Sequence, residues 1–180
     1  DSGAQYLGGT TDITRTIPLG EVPGSYRRDY TLVLQAFIRL HAARFPEGCT
    51  GKSLDALSRQ VMWENYLDYK HGTGHGVGCY LNDHEGPTNF ANARVPMEEG
   101  MVISIEPGIY RAGMLGVRTE NLVTVVRDKR SDEFGQFFRF EPLTLCPINT
   151  QAIETKMLSR SEVAWLNQYH SYVFEQLSPM

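Results

Sequence analysis

The side chains with the types and settings for metal or acid–base chemistry are Asp1, Asp12, His71, His75, His84, Glu106 and Glu120. Glu106 ends the apolar run Met101–Ile105, and Glu120 sits inside the apolar stretch Val117–Val126. A carboxylate in an apolar strand is costly to bury unless it is paired or binds a cation. His71 and His75 bracket Gly72-Thr73-Gly74, where small residues let backbone approach closely. His84 follows in Asp83-His84-Glu85-Gly86-Pro87. One arrangement satisfies the whole set: a two-metal site with bridging carboxylates. Oxygen-rich ligands with one imidazole suit Mn²⁺ best, with Zn²⁺ and Co²⁺ as alternatives.

Taken singly, each residue has a plainer reading. Asp1 alone is a frayed terminus, and Asp12 a turn residue. His71 and His75 are packed loop histidines. Glu106 is a strand end, and Glu120 a partner of Arg118 or Lys129. His41 and His170 lie on helical patterns and read as structural or surface residues. Cys79 reads as a small buried thiol. Arg27-Arg28 and Arg127-Asp128-Lys129-Arg130 read as solvated turns.

The elements that must position these groups follow from local pattern. Residues 1–17 read as two short strands around Leu7-Gly8-Gly9, rich in β-branched residues. Such a hairpin folds its two ends together, so Asp1 and Asp12 can converge. A helix capped by Ser25 runs to about Arg44 and is stopped by Phe45-Pro46-Glu47-Gly48. A second helix starts after Ser53. Residues 71–89 read as a functional loop with short strands. Strands are expected at Met101–Ile105, at Val117–Val126 and at Gln136–Leu145, with Gly113 and Gly116 in the turn before the second. Ser159-Arg160-Ser161-Glu162 is a capping box opening a helix to about Leu177. The pattern predicts one α+β domain with mixed or antiparallel strands.

Bulk properties bound the function. The net charge of −4 argues against a nucleic-acid partner, which a basic face would favour. Three well-separated cysteines without a CxxC pair suggest neither a zinc ribbon nor a redox pair, and an unpaired set fits a reducing, cytoplasmic setting. No apolar run approaches the roughly 20 residues of a membrane span. The sequence opens on Asp rather than Met, so a longer natural chain is expected.

Together the motifs resemble the catalytic domain of the aminopeptidase P (Xaa-Pro aminopeptidase) family, in its three-domain, cytosolic type. The residues that carry the resemblance are Asp1-Ser2-Gly3-Ala4-Gln5-Tyr6, Gly9 to Thr16, His71-Gly-Thr-Gly-His75-Gly-Val-Gly, His84-Glu85-Gly86-Pro87, Glu106-Pro107-Gly108-Ile109-Tyr110, and Arg118-Thr119-Glu120-Asn121. They occur in order and span the chain. The resemblance implies a pita-bread fold, a curved antiparallel or mixed sheet with helices on its outer face, lacking its N-terminal part. Residues 1–180 would be one metallopeptidase domain, with a C-terminal extension from about 146 to 180. It also implies ligand roles. Asp1 binds one ion, Asp12 and Glu120 bridge two, and His75 and Glu106 bind the second. His71 and His84 hold the scissile carbonyl. Arg118 and Tyr110 orient the carboxylates.

The implied reaction is hydrolysis of the N-terminal Xaa–Pro bond by a water activated between two ions, with Glu106 carrying its proton to the proline nitrogen. The implied partners are peptides with proline in second position, the upstream part of the same enzyme and a second copy in a homodimer. Two alternatives stand beside it: a prolidase restricted to Xaa-Pro dipeptides, and a non-catalytic pita-bread binding scaffold.

Overall fold

The computed structural model describes residues 1–179. The chain opens with the hairpin β1 (Ser2–Tyr6) and β2 (Gly9–Ile13), whose register pairs Gly3 with Asp12. Helix α1 (Gly24–His41) follows. Its N-cap position is Pro23, which offers no side-chain cap, so Ser25 lies inside the helix rather than before it. The helix stops at His41, short of the expected Arg44, because Arg44–Pro46 is drawn off as strand β3. Helix α2 (Gly51–Trp63) begins before Ser53, and the Thr50 side chain accepts from the Ser53 N–H.

Seven strands then alternate with short turns: β4 (His75–Val77), β5 (His84–Asn89), β6 (Val102–Ile105), β7 (Gly108–Arg111), β8 (Leu115–Arg118), β9 (Asn121–Asp132) and β10 (Gly135–Pro142). The main sheet has the order β3-β10-β9-β6-β4-β5, with antiparallel neighbours throughout. Strands β7 and β8 form a separate hairpin. Helix α3 (Arg160–Leu177) opens with the expected capping box, Ser159 Oγ accepting from Glu162 N and Glu162 Oε2 accepting from Ser159 N.

The core lies between α1 and one face of the sheet. Val33, Leu34, Ala36, Phe37 and Leu40 of α1 are fully buried, as are Ile103, Ile105, Val123 and Val125 of β6 and β9. Each such aliphatic side chain contributes about 1.5–3 kcal/mol by leaving water. Helix α3 closes the far side. Trp165 packs edge-on against Phe37 and stacks on Tyr169. His41 and His170 are structural, as expected: His41 is buried beside Phe37 and Trp165, and His170 Nε2 accepts from Ile148 N.

Four local expectations change. The stretch Val117–Val126 is two strands, broken at Thr119-Glu120, so Glu120 sits in a gap of the ladder. Gly116 lies within β8 and only Gly113 in the turn. Residues 127–130 continue β9, with Arg127 paired to Glu99, Asp128 to Arg44 and Arg130 to Asp132. Cys79 is exposed, because the backbone at Gly78–Asp83 bulges out between β4 and β5. No helix among the described residues is long and apolar enough to cross a membrane.

Candidate metal centre

The break at Thr119-Glu120 is where the site forms. Beyond β2 the chain runs alongside the break, and Glu120 N donates to Thr14 O at 3.1 Å. Threonine hydroxyls complete this irregular pairing. Thr16 Oγ1 bonds both Arg118 O and Arg118 N, and Thr14 Oγ1 donates to Glu120 Oε2 at 2.6 Å. Glu120 is thereby held at a fixed angle facing Asp12. Donor atoms of Asp12, His75 and Glu120 all lie within 4.8 Å of one another. His75 Nε2 is 3.5 Å from Asp12 Oδ2 and 3.2 Å from Glu106 Oε1. Four of the five expected ligands therefore converge.

The histidine strand reaches this point because glycine lets it. A Cβ on Gly74 would fall 1.8 Å from Ser104 O, so any other residue would push β4 off β6. Ser104 ties the two strands together at the site: it accepts from His75 N and donates to Glu106 Oε1, both at 3.0 Å. His75 Nδ1 lies 3.0 Å from Gly76 O. A carbonyl only accepts, so Nδ1 carries hydrogen and Nε2 faces Asp12 and Glu106.

The electrostatics are those of negative charge gathered in a half-dry place. Burial pushes the Glu120 carboxyl up to about 7; the Thr14 hydroxyl opposes this, and Glu106 and Asp12 add to it. The hydrogen bond with His75 holds Asp12 below its ordinary value, against the effect of burial. For His75 burial favours the neutral ring, but hydrogen bonds with Asp12 and Glu106 outweigh it and raise the imidazole to about 10. Glu120 Oε1 is buried with no hydrogen-bond partner. An unpaired buried carboxylate oxygen aimed among other carboxylates is a cost that a cation removes.

Around this centre, Tyr110 OH is 2.9 Å from His71 Nε2 and accepts from Arg118 Nη1 at 3.2 Å. Arg118 Nε donates to Thr14 Oγ1 at 3.0 Å. Gly108 leaves room for the Tyr110 ring, which a Cβ there would displace. The exposed His84 ring stacks on His75 with centroids 3.6 Å apart. Asp1 is the outlier. Its carboxylate is turned to Arg118 Nη2 rather than to the other acids, although the hairpin pairs the residues that follow it, Ser2 and Gly3, with Ile13 and Asp12. Thr14 and Ser104 escape a reading by residue type. The signal for Ser104 was there: it is the lone hydroxyl in Met101-Val102-Ile103-Ser104-Ile105.

Comparison with known proteins gives the same picture. The model of metallopeptidase family M24 matches residues 1–127, and that of the C-terminal region of peptidase M24 matches residues 136–180. The chain belongs to metallopeptidase family M24. Among M24 relatives, the probable Xaa-Pro aminopeptidase P of Tuber melanosporum is 48% identical over 98% of this chain and 29% of its own length. That of Paracoccidioides brasiliensis strain Pb03 is 47% identical over 99% and 30%. The crystal structure of X-prolyl aminopeptidase from Caenorhabditis elegans, described as a cytosolic enzyme with a di-nuclear active site, superposes with a TM-score of 0.95. It is 41% identical, covering 99% of this chain and 29% of that one. Prolidase from Pyrococcus furiosus gives 0.62 at 38% identity, over 78% and 39%. The fold is thus the pita-bread fold of M24 enzymes, and the chain spans about 30% of the curated relatives it matches. The donor set fits the two divalent ions of an M24 centre: three carboxylates and one imidazole converge, and an orphaned buried oxygen faces them.

Proposed function

We propose that this chain carries the dinuclear metal centre of an aminopeptidase that hydrolyses the N-terminal Xaa–Pro bond of peptides. The observation that carries the reading is the convergence of Asp12, His75, Glu106 and Glu120 around the unpaired Glu120 Oε1. In this reading Asp12, His75, Glu106 and Glu120 would hold the two ions, with Asp1 joining them after leaving Arg118. Mn²⁺ suits the oxygen-rich set best. When bound, the ions supply Lewis acidity and lower the pKa of a water toward neutrality.

The chain's own groups do the rest. Glu106, beside the centre and hydrogen-bonded by Ser104, accepts a proton and returns it to the leaving proline nitrogen. The exposed His84 offers a ring N–H to the carbonyl oxygen as charge develops there, whereas both ring nitrogens of His71 are engaged, Nδ1 with Gly72 O and Nε2 with Tyr110 OH, so His71 reaches that oxygen only by exchanging Tyr110 OH for it. Arg118 and Tyr110 keep Thr14, and through it Glu120, in place. Residues 1–180 act as one catalytic unit, its segment from about 146 onward an extension. A cytosolic setting, like that of the nematode enzyme, and a homodimeric assembly belong to the same reading.

The test is a pair of measurements on the Mn²⁺-loaded protein. About two ions per chain are expected by elemental analysis, lost in Asp12→Asn and His75→Ala. Cleavage of Xaa-Pro-Yaa tripeptides is expected as well. Cleavage of Xaa-Pro dipeptides alone would replace the reading with a prolidase, and neither metal nor turnover would leave a binding scaffold.

A further inference from the structure

Between α2 and the histidine segment lies a polar cluster that the proposed reaction leaves unused. Residues 70–74 belong to no strand; backbone bonds hold Thr73 O and Gly74 O, and a side chain holds the carbonyls before them. Arg59 on α2 supplies that hold. Its Nη1 donates to Tyr69 O at 2.9 Å and its Nη2 to His71 O at 2.6 Å. The guanidinium lies 4.2 Å over the Tyr69 ring. Behind it, Arg59 Nε donates to Asp55 Oδ2 at 2.6 Å, and Nη1 to Asp68 Oδ1 at 2.8 Å. The other Asp55 oxygen accepts from Thr73 Oγ1, which Tyr69 OH also reaches at 2.5 Å. Thr73 O in turn accepts from Glu106 N at 2.8 Å.

An Asp–Arg pair one helical turn apart is usually a solvated surface feature. This one is not: the side chains of Asp55 and Arg59 are 16% and 13% exposed, and the pair spends its remaining hydrogen bonds on the segment that carries His71. The planar fork is what allows two carbonyls, at Tyr69 and His71, to be held by one residue. A lysine ammonium is a point donor and cannot span both.

We propose that Asp55 and Arg59 are positioning residues for the reaction, holding the Tyr69–Thr73 backbone so that His71 Nε2 stays on Tyr110 OH and Thr73 stays under Glu106. The kinetic consequence rests on the function proposed above; the geometric one does not. A small displacement of a group that stabilises developing charge lowers the rate of the chemical step more than it weakens substrate binding.

The experiment is Arg59→Lys in the Mn²⁺-loaded protein, alone and combined with His71→Ala. A fall in kcat on the order of 10-fold is expected, with KM and bound metal unchanged. In the His71→Ala background the same substitution should add no further loss. In parallel, the ring nitrogen signals of His71 should shift in the NMR spectrum of Arg59→Lys while those of His170 stay put. An equal kcat loss in both backgrounds, or loss of metal, would overturn the positioning role, as would an unmoved His71 signal. If Arg59→Lys does not fold, Asp55→Asn, which keeps an acceptor for Thr73 but no charge for Arg59, carries the same comparison. If the wild-type protein turns over no Xaa-Pro substrate, the functional reading fails, and the His71 ring signals still decide the positioning role.

Discussion

Glu106 and Glu120 are both glutamates at the edge of an apolar strand, yet their surroundings divide their roles. Glu120 is locked by Thr14 and buried, whereas Glu106 is half-buried and held through one oxygen by Ser104. Replacing Glu106 by Gln keeps size and hydrogen bonding but removes the proton acceptor. Turnover in the metal-loaded enzyme is expected to fall by at least about 10²-fold, with circular dichroism unchanged. Wild-type kcat in that variant would take Glu106 out of the mechanism. The same residues couple metal uptake to pH. At neutral pH His75, raised to about 10, carries a proton, and Glu120, raised to about 7, carries part of one. Ligation must expel both. Mn²⁺ affinity measured by calorimetry should therefore climb as pH rises from about 6 to 8, with proton release visible as a dependence on buffer ionisation heat. A pH-independent affinity would contradict this electrostatic account.

At the scale of elements, the approach of β4 to β6 and the packing of α3 on α1 make separate predictions. Gly74→Ala sets a methyl carbon against Ser104 O at 1.8 Å, and that oxygen is backbone of β6 and cannot swing aside. The strands must part, at a cost of about 3 kcal/mol, read as a lower denaturation midpoint with unchanged m-value. On the other side of the core, His41 is enclosed by Phe37, Trp165 and Tyr169, and its Nε2 has no partner. Burial depresses its pKa from 6.5 to about 4, with Arg15 adding to the effect and a backbone hydrogen bond opposing it. As pH falls, the unfolded chain binds this proton first. Stability is therefore complete above about pH 6.5 and is lost as pH falls toward 4, by up to about 3 kcal/mol from this residue. The melting temperature of wild type should drop relative to His41→Phe across that window. Parallel curves for the two proteins would show that His41 is not buried neutral.

For the whole molecule, the decisive contact is Arg15. Its Nε donates to Pro147 O at 3.0 Å and its Nη1 to Thr14 O and Glu120 O; Nη2 reaches Asn121 Oδ1, Cys146 O and Tyr169 OH. One guanidinium thus joins the irregular segment after β2, the Glu120 break, the segment after β10 and helix α3. Arg15→Ala would strip partners from several carbonyls at once. We expect a loss of about 3 kcal/mol and faster proteolysis after residue 145, with the metal ligands themselves intact. Proteolysis at the wild-type rate would mean that the apolar contacts of α3 hold it without the arginine.

How much of this was legible in the residues depends on the range of the interaction. Local rules placed the first hairpin, the α3 capping box and the strand ending at Glu106, because turn glycines, β-branched runs and a Ser-x-x-Glu pattern act within a few residues. Residue type likewise marked Asp12, His75, Glu106 and Glu120, since acids and imidazoles among apolar and glycine neighbours need a reason to be there. The helix ends were misplaced where a distant strand competed: Arg44–Pro46 pairs with β10 instead of extending α1. The single strand expected at Val117–Val126 splits because Thr14 and Thr16, a hundred residues earlier, supply the hydrogen bonds at the break. Thr14, Arg15 and the Asp55–Arg59 pair have ordinary side chains in ordinary local settings, and Ser104 stands out only as a hydroxyl in an apolar run. Their roles exist only once β2, α2, β6 and the C-terminal segment meet. Sequence therefore determined which groups could bind metal, and tertiary structure alone decided what holds each of them at its angle, because hydrogen bonds between distant segments leave no local periodicity to read.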